Sequence, residues 1–240
     1  MSRQRVLLGL ILLGYLGLTL AYGVVNPLFE APDEHWHFFT AVSIAESGQL
    51  PAVTEPPDEF LGQEAAQPPL AYLLGAALIS PLESDGWREE LWLNPYAWIG
   101  DASAIANVNR MVHTPSEAWP WGGMALAGHA LRIFSTLLGL GTLLCVYGSA
   151  RLLWPRGNTR PLLATALVAF LPQFNFVHAS FSNDPLIIFL CSLGLYQLIW
   201  LWRRLPPGSL DRQGALRLAA LGLTCGLAAL TKNAGILLLA

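Results

Sequence analysis

The sequence predicts an all-α membrane protein: a polytopic helical bundle of about five transmembrane helices, with one large external loop carrying interfacial helices. Composition is the first reason. Of 240 residues, 54% are hydrophobic, only 12% are charged, and mean hydropathy is +0.47. Soluble domains carry about 25% charged residues. The second reason is the recurrence of apolar runs near the roughly 20 residues that a spanning helix needs. The third is that charge is sorted along the chain instead of mixed.

The chain begins "MSRQRVLLGLILLGYLGLTLAYGVV". A basic start before an apolar run also marks signal peptides, but their apolar region is about 7–15 residues. The run here fills 6–25, and no small-residue cleavage site follows at once. It is read as an uncleaved first span.

Further runs at 126–150, 161–179 and 185–202 predict spans, and a fifth at 216–240 reaches the end of the sequence. That ending inside an apolar run suggests a fragment of a longer polytopic protein. A shorter run at 68–80 makes about 20 Å of helix, against a hydrocarbon core of about 30 Å. Arg3 and Arg5 precede the first span. Arg151, Arg156 and Arg160 lie between the second and third, and Arg203, Arg204, Arg212 and Arg217 between the fourth and fifth. The positive-inside rule makes all three segments cytoplasmic. An even number of crossings must then separate the first span from that at 126–150. The run at 68–80 is accordingly read as interfacial or re-entrant, and 26–125 as one external loop.

That loop holds 14 of the 16 acids and only two basic residues, Arg88 and Arg110. Polar chemistry is therefore expected on one side of the membrane. Cys145, Cys191 and Cys225 each lie in an apolar run, without a CxxC pair, and are read as small buried hydrophobes. No P-loop, dinucleotide fingerprint, Ser-His-Asp signature or basic nucleic-acid patch is present, so no nucleic-acid partner is expected.

Within the loop, "APDEHWHFFTAVSIAESGQLP" predicts a helix over 32–47, with Pro32 in its first turn and Gly48 at its stop. Phe38, Ala41, Val42 and Ala45 form its apolar stripe, while Asp33 and His37 share another face. Asp33 and Glu34 could be dipole-complementing charges, worth roughly 0.3–1 kcal/mol. They could also be acid/base groups. Adjacent helical residues point about 100° apart, so Asp33, Glu34, His35 and His37 cannot converge on one metal ion without other elements. An acid-rich loop can still recruit Mg²⁺ or Mn²⁺, although no ligand spacing demands it and no cofactor is required.

The order of "APDEHWHFF", "QPPLAYLL", "LRIFSTLLGLGTLLCVYGSARLLWP", "LLATALVAFLPQFNFVHASFSNDPL" and "GLAALTKNAGI" resembles the GT-C superfamily of membrane glycosyltransferases. More narrowly it is similar to the bacterial branch related to protein mannosyltransferases and lipid A aminoarabinose transferases. Such enzymes move a sugar from a polyprenyl-phosphate carrier to an acceptor glycan, lipid or protein on the non-cytoplasmic face. The resemblance implies that Asp33 is the general base of an inverting transfer, with Glu34 its catalytic neighbour and His37 in support. A carboxylate within hydrogen-bond reach of an acceptor hydroxyl can take its proton.

The leaving phosphate calls for cationic or amide donors. Lys232 is the first candidate, because a charge inside a spanning segment is expensive and usually functional. Arg132 is the second. Both could instead snorkel to the interface. Asn183 and Asp184 in "SFSNDPL" sit at an outer turn and could equally start a helix. "QPPLAYLL" departs from the family's "HPPLYYLL": Gln67 replaces the His and Ala71 the first Tyr, so only Tyr72 is carried over as a substrate contact. The other class of function open to this sequence is a non-catalytic membrane protein that binds, flips or exports envelope glycolipid or polysaccharide.

Overall fold

The computed structural model describes residues 3–98, 103, 108–155, 159–204 and 211–239. Asp101, Arg156 and Ala240, which enter the charge and span readings above, lie outside the described residues. Among those described, the chain is helical, and its only β-type pairing is one isolated bridge between Leu93 and Met111.

Helices α1 (Arg3–Val25), α5 (Gly123–Leu153) and α8 (Asp184–Arg204) are long and apolar enough to cross a membrane. α8 carries Asp184 in its first turn and Arg203 and Arg204 in its last. That placement complements the helix dipole at both ends.

The span expected over 161–179 is broken. α6 (Arg160–Ala169) and α7 (Pro172–His178) meet at a 62° bend. Pro172 has no N–H to continue the ladder, and the residue before it, Leu171, is extended at φ −71°, ψ 119°. The freed carbonyls find a donor in Asn175, whose Nδ2 donates to Ala169 O at 2.9 Å and Leu171 O at 3.0 Å. Thr19 of α1 donates in turn to Asn175 Oδ1 at 2.8 Å. An apolar setting tolerates such a break only when these groups are satisfied.

The fifth span also differs from expectation. α9 (Arg212–Ala229) starts on Asp211, whose side chain accepts from the Gly214 N–H at 2.7 Å. It then stops, and a 3-10 segment, Asn233–Leu239, follows. Lys232 thus lies in a break and not deep in a continuous helix. By length and composition the described residues contain three spanning helices, or four if the bent α6–α7 pair counts as one.

The loop helices are short. α2 (Glu34–Ser47) begins after Pro32, which stays outside the helix, and stops at Gly48 with φ 66°. Nearly all of its first half is buried, so its stripe faces protein. α3 (Leu70–Ile79) has ten residues, about 15 Å of helix. It leans on α2, and its Leu70 N–H donates to Leu230 O at 2.9 Å, tying it to the end of α9. α4 (Trp87–Glu90) is a single turn. Phe29, Phe38, Phe39, Trp87, Leu131 and Phe181 form one core that fastens these pieces to α5 and the α7–α8 turn.

α5 is the central post, in contact with α1, α6 and α8. Its glycines admit aromatic neighbours. A Cβ at Gly141 would meet Phe189 at 2.7 Å, and one at Gly148 would meet Tyr196 at 2.8 Å. Small residues at such contacts let apolar helices close up. Gly139 is tighter still: a Cβ there would stand 1.9 Å from Tyr15 Oη and 2.7 Å from the His178 ring. Both side chains are fully buried, and Tyr15 Oη is fixed by donating to Thr136 O at 2.9 Å. Gly139→Ala is therefore expected to lower stability by about 1–3 kcal/mol. A wild-type melting temperature in the same detergent would refute this packing.

Candidate active site

The chain between α1 and α2 makes an unusual turn. Phe29 and Asp33 both adopt positive φ, 66° and 59°, without being glycine. Asp visits this region readily, but Phe does not, at a cost of roughly 1–2 kcal/mol, so something must hold Phe29. Glu34 does so at one point, its Oε2 accepting the Phe29 N–H at 3.0 Å. The same carboxylate accepts the Phe181 N–H at 3.0 Å and two bonds from Arg132, Nε at 2.8 Å and Nη2 at 2.6 Å.

Arg132 completes this clamp. Its Nη1 donates to Gly23 O and Asn26 O, both at 2.7 Å, and its Nη2 to Pro27 O at 2.9 Å. A guanidinium has five N–H donors, and a carboxylate about four acceptor sites. All are used here, and each residue is only 2% exposed. Glu34 and Arg132 thus have nothing left to offer a substrate, and neither lines the cavity described next. Their part is to shape the turn that presents Asp33.

Asp33 opens onto a polar cavity of about 270 Å³. It forms where the start of α2, the 3-10 turn Gly62–Ala66, the end of α7, the start of α8 and the break after α9 meet. Asp33, His37, Asn183, Asp184 and Lys232 all line it, although the sequence spreads them over 200 residues. Gln63, Gln67 and Gln173 add amides to its wall. Lys232 Nζ contacts Asp184 Oδ1 at 2.5 Å, in a pair that stays partly open to solvent. Asp33 does not cap α2 through its side chain, so its carboxylate is not committed to the helix start.

Tyr72 is not a wall residue. It is 1% exposed and lies behind the cavity, its hydroxyl donating to Glu64 Oε2 at 2.6 Å and standing 3.0 Å from His37 Nδ1. Asn183 Nδ2 donates to the same hydroxyl at 3.5 Å. Glu64 is a cavity residue that sequence reasoning missed. It is one acid among many in the loop, and its spacing from Tyr72 crosses a 3-10 turn and a helix start, which no single period describes.

Burial sets the local charge states. It pushes the His37 imidazole down to about 4, helped by Lys232 and opposed by Asp184. Burial likewise raises the Glu64 carboxyl above its ordinary range, with the Tyr72 hydrogen bond working against it and the Asp33 charge with it. His35, held under burial and beside Arg110 and His37, falls to about 3. Among the described residues no three His, Cys, Asp or Glu side chains gather in a way that could hold a metal ion.

The segment 107–240 matches the family model described as dolichyl-phosphate-mannose-protein mannosyltransferase, which is more than half of the chain. The chain belongs to this family. It is thus a multi-pass membrane protein of a glycosyltransferase family. No curated protein and no solved structure gives a match. The mannosyltransferase match covers Arg132, Asn183, Asp184 and Lys232. Asp33, His37, Glu64 and Tyr72 precede it, and it is the folded chain that brings them to the same cavity wall or directly behind it.

Proposed function

We propose that this protein transfers a sugar from a polyprenyl-phosphate donor to an acceptor hydroxyl, with inversion at the anomeric carbon, and that Asp33 is the general base. The observation that carries this reading is that Asp33 and Lys232 line one polar cavity. A carboxylate at one wall can take the proton of the attacking hydroxyl. A cation in the same cavity can stabilise the phosphate that leaves. The amide-lined wall suits a neutral polyol such as a sugar. The donor is read as dolichyl- or polyprenyl-phosphate mannose from the family's name. The acceptor is a glycan, lipid or protein, and the reaction face is extracytoplasmic by the positive-inside argument. Surrounding membrane lipid would carry the prenyl chain.

Lys232 offers a direct test. Charge-assisted hydrogen bonds contribute about 1.5–3 kcal/mol, so Lys232→Met is expected to weaken donor binding by about 10- to 10²-fold. Titrating the full-length protein with dolichyl-phosphate mannose checks this. Unchanged affinity with unchanged turnover would remove Lys232 from the site.

A further inference from the structure

We propose that His37, Tyr72 and Glu64 form a proton relay that takes the acceptor's proton from Asp33 and stores it on Glu64; this rests on the glycosyl-transfer reading above. Tyr72 Oη lies 3.0 Å from His37 Nδ1 and 2.6 Å from Glu64 Oε2, and Glu64 Oε2 is 3.4 Å from His37 Nδ1. The Tyr72 hydroxyl has one hydrogen, so the chain of three has two self-consistent polarities. With Glu64 ionised, Tyr72 donates to Glu64, His37 Nδ1–H donates to Tyr72, and His37 Nε2 is a bare acceptor. With Glu64 protonated, Glu64 donates to Tyr72, Tyr72 donates to Nδ1, and Nε2 carries the hydrogen. His37 lines the cavity, and among the described residues its Nε2 has no hydrogen-bond partner.

The two polarities differ by one proton, which enters at Nε2 and ends on Glu64. In the transfer step the acceptor oxygen bonds to the anomeric carbon as the bond from that carbon to the phosphate oxygen breaks, its electron pair staying with the phosphate. The hydroxyl proton passes to Asp33, and from Asp33 to His37 Nε2. The Nδ1 proton then moves to Tyr72 oxygen, and the former Tyr72 proton to Glu64. Every bond to hydrogen that breaks is replaced by another, and Asp33 is again a carboxylate; once product leaves, Glu64, which lines the cavity, gives its proton to water entering there, and Tyr72 and His37 return to the first polarity.

The surroundings suit these roles. Asp184 and Lys232 face His37 with opposing charge, and burial keeps its imidazole from retaining a proton at neutral pH. Asp33 and Lys232 face Glu64, again with opposing effects, while burial favours its protonated form. A poor holder thus leads to a good one. Tyr72 and Glu64 are positioning residues here, because they act through His37.

The test uses the full-length protein with dolichyl-phosphate mannose and a serine-containing peptide. Glu64→Gln keeps the size and a hydrogen bond but cannot take a proton. It is expected to lower kcat by roughly 10²-fold, leave the donor KM unchanged, and reduce a multi-proton solvent deuterium inventory to a single proton. Wild-type kcat should fall on the acid side at a pH above the ordinary carboxylate range, because protonated Glu64 has no vacancy, and this limb should vanish in Glu64→Gln. Tyr72→Phe should match Glu64→Gln, and the double variant should be no slower than either. Glu64→Asp should recover part of the rate, separating loss of the relay from misfolding. Wild-type kcat and proton inventory in Glu64→Gln would overturn the relay while Asp33→Asn remained inactive. Full activity in Asp33→Asn would overturn the base assignment itself.

Discussion

Asp33→Asn is expected to abolish sugar transfer, with a loss of about 10²–10⁴-fold in kcat, while the protein folds and binds donor as before. Asparagine is the informative replacement for a structural reason. Residue 33 sits at φ 59°, and Asn is among the few L-residues that occupy the left-handed region readily. It also keeps the shape and the acceptor oxygen, and loses only the ability to take a proton. Alanine would confound the result, because it adds roughly 1–2 kcal/mol of backbone strain at the same position. Turnover of dolichyl-phosphate mannose, measured beside donor affinity and a melting curve, separates these effects. Near wild-type turnover in Asp33→Asn would mean that the base lies elsewhere in the cavity.

Arg132→Met should act on a different quantity. It leaves the Glu34 carboxylate buried without its guanidinium, and the carbonyls of Gly23, Asn26 and Pro27 without donors. Removing one partner of a buried pair costs about 3–5 kcal/mol. The expected result is a large fall in melting temperature or in the yield of folded protein. Replacing both members, Glu34→Leu with Arg132→Met, should recover part of the loss, because the stranded charge is gone. An Arg132→Met protein of normal stability that binds donor poorly would show instead that the guanidinium meets the phosphate.

The parts of this molecule legible in its sequence are those dictated by long-range composition. α1, α5 and α8 follow directly from uninterrupted apolar runs with polar ends. The breaks were harder, because an apolar window averages over a single proline. Pro172 followed by Gln173 and Asn175 inside an apolar run was the available signal, since a buried Asn beside a proline has freed carbonyls to satisfy. Likewise Thr231, Lys232 and Asn233 in succession mark the end of α9. Lys232 is readable as a charge in a costly place, Asp33 and His37 through the family resemblance, and Asn183 and Asp184 as polar groups at an outer turn. Glu34, read as the neighbour of Asp33, and Arg132, read as a phosphate donor, are instead a buried pair at the crossing of several segments. Tyr72 is carried by its motif, whereas Glu64, its hydrogen-bond partner, is one acid among many in the loop and has no motif to single it out.

The closed valence of Arg132 bears on how variants of this protein are to be sorted. A survey scored by product alone would place Arg132 beside Asp33, since either change is expected to stop the proposed transfer. Scored by the amount of protein in the membrane, the two part company: one variant is abundant and silent, the other scarce. A missense change at Arg132, Glu34 or Gly139 is therefore a candidate for rescue by lower temperature or a stabilising lipid. A change at Asp33 is not.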